Sequence, residues 1–172
     1  MIVNSADRTT PALLTTKPTW LISQVAAHAH AVVAGRLGEA GARGYHIRVL
    51  AALAEFGPAS QVGLGRHAEM DRSDVTVTIG ELASAGLVRR VTDAGDRRRN
   101  VITITDEGLA RLRELDGILS AAQEEVLAAL SDCERSVLAG LLERLLERAS
   151  GAARDTRRRE ETQGTRQQRA RE

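Results

Sequence analysis

Apolar side chains return every three to four residues through most of the chain, with one short interruption where apolar and polar positions alternate instead. The first spacing predicts amphipathic helices and the second a pair of strands. A first helix runs from Trp20 to about Ala40, with Leu21, Val25, Ala29, Val32 and Leu37 in register, Thr19 placed to cap it, and Gly38, Gly41 and Gly44 to end it. A second, about Tyr45 to Glu55, carries Ile47, Leu50, Ala51 and Ala54 on one face and stops at Phe56-Gly57-Pro58, since a proline disfavours helix in the residue before it. Ser60 caps a short third helix, Gln61 to Ala68. Its Gly63 and Gly65 each cost about 1 kcal/mol relative to alanine, so packing must hold it.

The organising stretch is Asp71 to Arg99. Asp71 caps a fourth helix, with Asp74 three positions on, close to a capping box. Val75, Ile79 and Leu82 form its buried stripe, while Ser73, Thr76, Val77 and Gly80 give the opposite face small residues. Gly86 stands where a left-handed helix stop is wanted, and Leu87 can fold back onto Leu82. Strands Leu87–Thr92 and Val101–Thr105 flank a turn containing Asp96, Arg97, Arg98 and Arg99. Two short helices and a hairpin make a winged helix-turn-helix layout, about 44–105, whose helix and hairpin suit adjacent grooves of a duplex. An ordinary amphipathic helix beside a solvated hairpin would give the same pattern. Thr105 then caps a long fifth helix to about Leu130, with Leu109, Leu112, Leu115, Leu119, Val126 and Leu130 in its stripe. Ser131-Asp132-Cys133-Glu134 is a capping box that starts a last helix to about Ala149. Its Val137, Leu138, Leu141, Leu142, Leu145 and Leu146 make a stripe wider than one small chain covers from one side. A dimer interface shared with the first helix is expected, packing inside one domain being the alternative. The fold class is thus mainly α with a small β-hairpin wing: a winged helix-turn-helix domain plus a helical dimerisation region, about 19–42 and 106–149. A flexible arm (1–18) and a disordered basic tail (151–172) flank it.

Charge refines this picture. Twenty-four Lys+Arg against 23 Asp+Glu leave +1, which lends little support to a polyanionic partner. Between Arg89 and Arg99, however, five arginines face two aspartates. The tail sets seven arginines against four acids and so adds sequence-independent attraction to DNA. One cysteine excludes an internal disulfide and fits a reducing cytoplasm. No apolar run reaches the ~20 residues of a membrane span, and no signal-peptide layout opens the chain, so a cytoplasmic location without membrane association is expected.

Taken together, Asp71-Arg72-Ser73-Asp74-Val75-Thr76, Leu82, Gly86-Leu87-Val88, Asp96-Arg97-Arg98-Arg99 and Ile104-Thr105 resemble the multiple-antibiotic-resistance-regulator (MarR) family of bacterial transcription factors. The likeness covers about Trp20 to Ala149. It implies a homodimer clasped through the first, fifth and sixth helices, with the fourth helix in the major groove of double-stranded DNA and the wing in the minor groove. By position, Arg98 is the wing-tip arginine and Asp96 its orienting carboxylate, flanked by Arg97 and Arg99. Arginine is drawn to the negative potential of a narrow minor groove. On the fourth helix, Arg72, Ser73, Thr76 and Val77 are placed to reach bases or phosphates, and Asp74 serves as a cap partner. Two departures stand out: Glu69 occupies a turn position where glycine is common, at a left-handed cost of roughly 1–2 kcal/mol that would change the turn in detail, and Gly80 interrupts the recognition helix.

Many such regulators release DNA when a phenolic or lipophilic anion binds beside the DNA lobe. The resemblance puts Trp20, His28, Arg43, Tyr45 and His46 near that crevice, although Trp20 and His28 are equally at home as packing or surface residues. Cys133 is a candidate redox sensor at a helix start, away from the position relatives use. His28 and His30 lie two apart, on different faces, so no metal site and no cofactor is expected. The reading is a ligand-responsive repressor on a near-palindromic operator. Its alternatives are a ligand-independent or architectural DNA binder and a cysteine-based redox regulator. No nucleophile motif, phosphate loop or carboxylate pair argues for an enzyme.

Overall fold

The computed structural model describes residues 11–92 and 100–149. The chain divides into two compact units, the first ending at Val126 and the second beginning at Leu127. The first unit holds α1 (Ala12–Thr15), α2 (Pro18–Glu39), α3 (Gly44–Phe56), α4 (Gln61–His67), α5 (Arg72–Ser84), β1 (Val88–Thr92), β2 (Asn100–Ile104) and α6 (Asp106–Val126). The second holds α7, residues 132–149. The fold is mostly helical with a two-stranded antiparallel hairpin.

Several elements differ from the sequence pattern. A helical turn, α1, lies inside the stretch expected to be a flexible arm. Lys17 rather than Thr19 is the N-cap of α2. Pro18 decides this: its fixed φ suits the first helical position, where no N–H is needed. The buried residues of α3 are Val49, Leu50, Ala52 and Leu53, with Ile47 half-buried against the core; of the expected face Leu50 and Ile47 face inward, while Ala51 and Ala54 are exposed. Because α3 packs against α4, α5, β2 and α6, several of its sides are covered, and the larger Val49 and Leu53 have more apolar area to bury than the two alanines. Asp71 caps α5 without a side-chain hydrogen bond, so the box with Asp74 does not close. An aspartate at the third position is one methylene shorter than the glutamate that normally reaches back. Helix α6 ends at Val126, short of Leu130, in a turn where Leu130 N–H bonds Leu127 O at 2.9 Å just before Ser131 restarts the chain.

Other local signals act as their chemistry suggests. Ser60 Oγ accepts from Gly63 N–H at 3.2 Å. Gly86 has φ 73°, and Leu87 N–H bonds Leu82 O at 2.9 Å while Gly86 N–H bonds Ala83 O at 3.0 Å, the double closure of a Schellman stop. In α7, Ser131 N–H donates to Glu134 Oε2 at 2.8 Å and Glu134 N–H reaches back to Ser131 Oγ at 3.5 Å.

The hairpin pairs Val88 with Ile104, Arg90 with Ile102 and Thr92 with Asn100. Ala59 adds a one-residue third rung, with Ile102 N–H on Ala59 O at 2.8 Å and Ala59 N–H on Ile102 O at 3.1 Å. No pattern marks a one-residue strand, so this rung is invisible in the sequence. Leu37, Val49, Leu50, Leu53, Leu64, Val75, Ile79, Leu82, Val88, Ile102 and Leu115 form one core under the helix pair and hairpin. Helix α2 lies along α6, tied by Arg36 and Glu125 at 2.7 Å. Among the described residues no helix is long and apolar enough to cross a membrane.

Candidate nucleic-acid interface

The α4–α5 corner is built by its backbone. Glu69 takes the left-handed conformation at φ 51°, and Met70 N–H closes the turn on Gly65 O at 2.9 Å. The turn therefore keeps the glycine-type geometry despite its side chain. Gly65 lets the segments approach: a Cβ there would stand 3.2 Å from Met70 O and 3.6 Å from Val75 Cγ2. From α3, the Arg48 guanidinium donates to the Ala68 and Glu69 carbonyls, each at 3.4 Å.

This corner fixes which face of α5 looks outward. Val75, Thr78, Ile79 and Leu82 are buried; Arg72, Ser73, Thr76 and Val77 are all exposed, together with Gly80. Val77 is 56% exposed, an apolar side chain facing solvent. Nothing would meet a Cβ at Gly80, so this stretch of helix backbone is open to close approach. Thr76 Oγ1 donates to Arg72 O at 2.8 Å, which leaves its oxygen free to accept. The outward face thus offers a guanidinium, two hydroxyls and three methyls, the polar and apolar groups that read base edges and phosphates.

Beside it stands the hairpin, whose root is tied tightly. Thr105 Oγ1 donates to Gly86 O at 2.8 Å and accepts from Gly108 N–H at 3.0 Å, so one hydroxyl joins the end of α5, the end of β2 and the start of α6. Arg89 and Arg90 are exposed on β1 and add positive charge next to α5. Both contribute to the arginine surplus of this stretch. Asp96, Arg97, Arg98 and Arg99 lie outside the described residues, as does the tail 151–172.

The residues expected near an effector crevice separate in space. Arg43 and His46 converge on Glu81 of α5. The Arg43 guanidinium pairs with Oε1, and His46 Nε2 lies 2.8 Å from Oε2. His46 Nδ1 accepts from the Arg43 N–H at 3.3 Å, so the proton that faces Glu81 sits on Nε2. The His46 hydrogen bond first, then the Arg43 one, hold the Glu81 carboxyl below the ordinary glutamate range. A cleft of about 150 Å³ opens beside this cluster, lined by His46, Leu50, Glu81, Leu82, Arg111 and Leu115 among others. Arg111 bridges from α6 to Ala40 O and to Glu114. Trp20 is half-buried on α2, His28 is exposed on α2 and Tyr45 is exposed on α3, and none of them lines the cleft. Glu81 and Arg111 escaped the sequence reading because their partners are far away in the chain. Cys133 is exposed in the first turn of α7.

Residues 42–99 match a model of the MarR family. A Thauera aromatica protein assigned as a transcriptional regulator of the hcr operon is 34% identical over 91 residues, covering 53% of this chain. The match spans just over half (55%) of that curated relative's own length. A crystal structure of a Pseudomonas aeruginosa protein assigned as a transcriptional regulator is 30% identical, with TM-score 0.66, covering 77% of this chain and 98% of that one. The PcaV transcriptional regulator of Streptomyces coelicolor is 27% identical with TM-score 0.65, covering 79% and 99%; solved with its natural ligand, it is 26% identical with TM-score 0.65, covering 80% and 97%. The buried and exposed faces of α5, its tight corner with α4, the adjoining arginine-bearing hairpin and these likenesses agree, and the chain belongs to the MarR family of transcriptional regulators.

Proposed function

We propose that the protein binds a near-palindromic operator as a homodimer and represses transcription, and that a small phenolic or lipophilic effector releases it. The observation that carries this reading is the outward face of α5, where Arg72, Ser73, Thr76 and Val77 stand exposed opposite a fully buried stripe. Such a face, presented by the second helix of a helix-turn-helix, matches the width of the major groove. In this reading Arg98 enters the adjacent minor groove with Asp96 orienting it, and Arg97, Arg99, Arg89 and Arg90 neutralise phosphates. The ligand-bound PcaV structure supports the effector step. The His46–Arg111 cleft supports it too, because it opens between the DNA-reading helix and α6. Half-sites are expected about one helical turn apart, 10–10.5 bp.

The test is anisotropy titration of DNA flanking the protein's own gene against random duplex of equal length. Wild type should prefer the flanking DNA. Arg72→Ala should lose roughly tenfold to a hundredfold on it, since a bidentate base contact is worth about 1–3 kcal/mol. Arg98→Ala should weaken it and flatten the dependence on salt by about one counterion. Equal affinity for the two duplexes would make the protein an architectural binder and end the operator reading.

A further inference from the structure

The cluster of Arg43, His46 and Glu81 joins α3 and α5 by polar contacts at the edge of their shared apolar core. The stripe Val75, Ile79 and Leu82 holds α5 against the core by apolar burial, which is non-directional. Glu81 sits on the flank of α5, between its buried and outward faces. Both carboxylate oxygens are engaged, Oε1 by the Arg43 guanidinium and Oε2 by His46 Nε2. The two donors come from the same corner, the N-cap and first turn of α3, and are linked to each other by the Arg43 N–H on His46 Nδ1. A charge-assisted, two-point attachment is directional where the core is not.

We infer that Glu81 is a positioning residue: it latches the carboxy-terminal half of α5 to the start of α3 and so sets the rotation at which Arg72, Ser73, Thr76 and Val77 meet DNA. The inference rests on the DNA-binding reading above and goes beyond it, because none of the three latch residues belongs to the outward face. The Glu81 side chain is 39% exposed and Arg43 57%, so the ion pair is partly screened and its effect is moderate.

The experiment uses the full chain with Glu81→Gln, Arg43→Gln and the double variant. Glutamine at 81 keeps one carbonyl oxygen as an acceptor for His46 and removes the charge and the acceptor that face Arg43. Each single variant should weaken binding to the preferred duplex about threefold to fivefold. Random duplex should bind as before, the salt slope should not change because no phosphate contact is lost, and the double variant should be no worse than either single one. Without DNA, amides of Arg72–Ser84 should exchange faster in Glu81→Gln, with the melting temperature held within a degree or two. Unchanged affinity and exchange would overturn the latch, as would equal weakening on both duplexes or a changed salt slope. A wild type without preference for any duplex sinks the operator reading instead, and amide exchange then decides the latch by itself.

Discussion

Gly108 sits in the first turn of α6 and has no side chain because none would fit. A Cβ there would overlap the Leu87 carbonyl oxygen and stand 2.7 Å from Ile104 Cγ1. The nearest atom in the way, the Leu87 carbonyl oxygen, is backbone at the root of the hairpin and cannot rotate aside. Gly108→Ala should therefore destabilise the protein by about 1–3 kcal/mol through overpacking, read as a lower urea midpoint at unchanged slope. Nothing in Asp106-Glu107-Gly108-Leu109 announces this, because the tightest contact comes from Leu87, about twenty positions earlier. Gly86 was legible: a glycine after an apolar stripe, followed by leucine, is a local stop signal, and its φ of 73° needs no distant partner. The left-handed place of Glu69 followed from the resemblance, but the change of turn expected from its side chain did not: at φ 51° the glycine-type turn is kept. Thr78 was not legible, since a polar residue type hides a position that is 2% exposed.

Elements whose stripes are made of large residues were easier to read than those made of small ones. The buried face of α5 follows from Val75, Ile79 and Leu82, whereas the alanines of α3 drew its expected face away from Val49 and Leu53. Caps follow the same logic. Ser131 and Glu134 carry a full-length box and form it; Asp71 and Asp74 carry a short one and do not. The Ser131 hydroxyl first, then its N–H, lower the Glu134 carboxyl below the usual glutamate range. A carboxyl lowered on folding stabilises above the ordinary value and stops doing so as pH falls through its folded value. The amino-terminal turn of α7 should accordingly loosen on acidification through that range, and Glu134→Gln should remove the pH dependence. Amide exchange of residues 132–135 measured across pH would show both.

At the scale of the whole molecule, the exposed apolar residues set the expectation. Helix α2 leaves Leu21, Ile22 and Val25 exposed, and α7 leaves Val137, Leu141, Leu142, Leu145 and Leu146, the last 66% exposed. A stripe of this size on an α-helix asks for a partner, and in the homodimer proposed above a second copy covers it. Wild type should sediment as a dimer at micromolar concentration. Leu141→Asp with Leu145→Asp should give monomers whose operator affinity falls at least a hundredfold, because two half-sites are no longer held by one particle. That both stripes exist was plain from residue spacing; their exposure required the fold, since the same spacing serves a buried helix. The root of the hairpin bears on how such an assembly would move. With Thr105 shared among three elements and no Cβ to act as a spacer at Gly108, the long helix and the wing are welded at their common corner, and close-packed interiors carry strain without absorbing it. In the DNA-bound dimer proposed above, a swing of α6 by a few degrees would therefore turn the root of the wing by the same angle, and distance from that corner would magnify it into a shift at the phosphates.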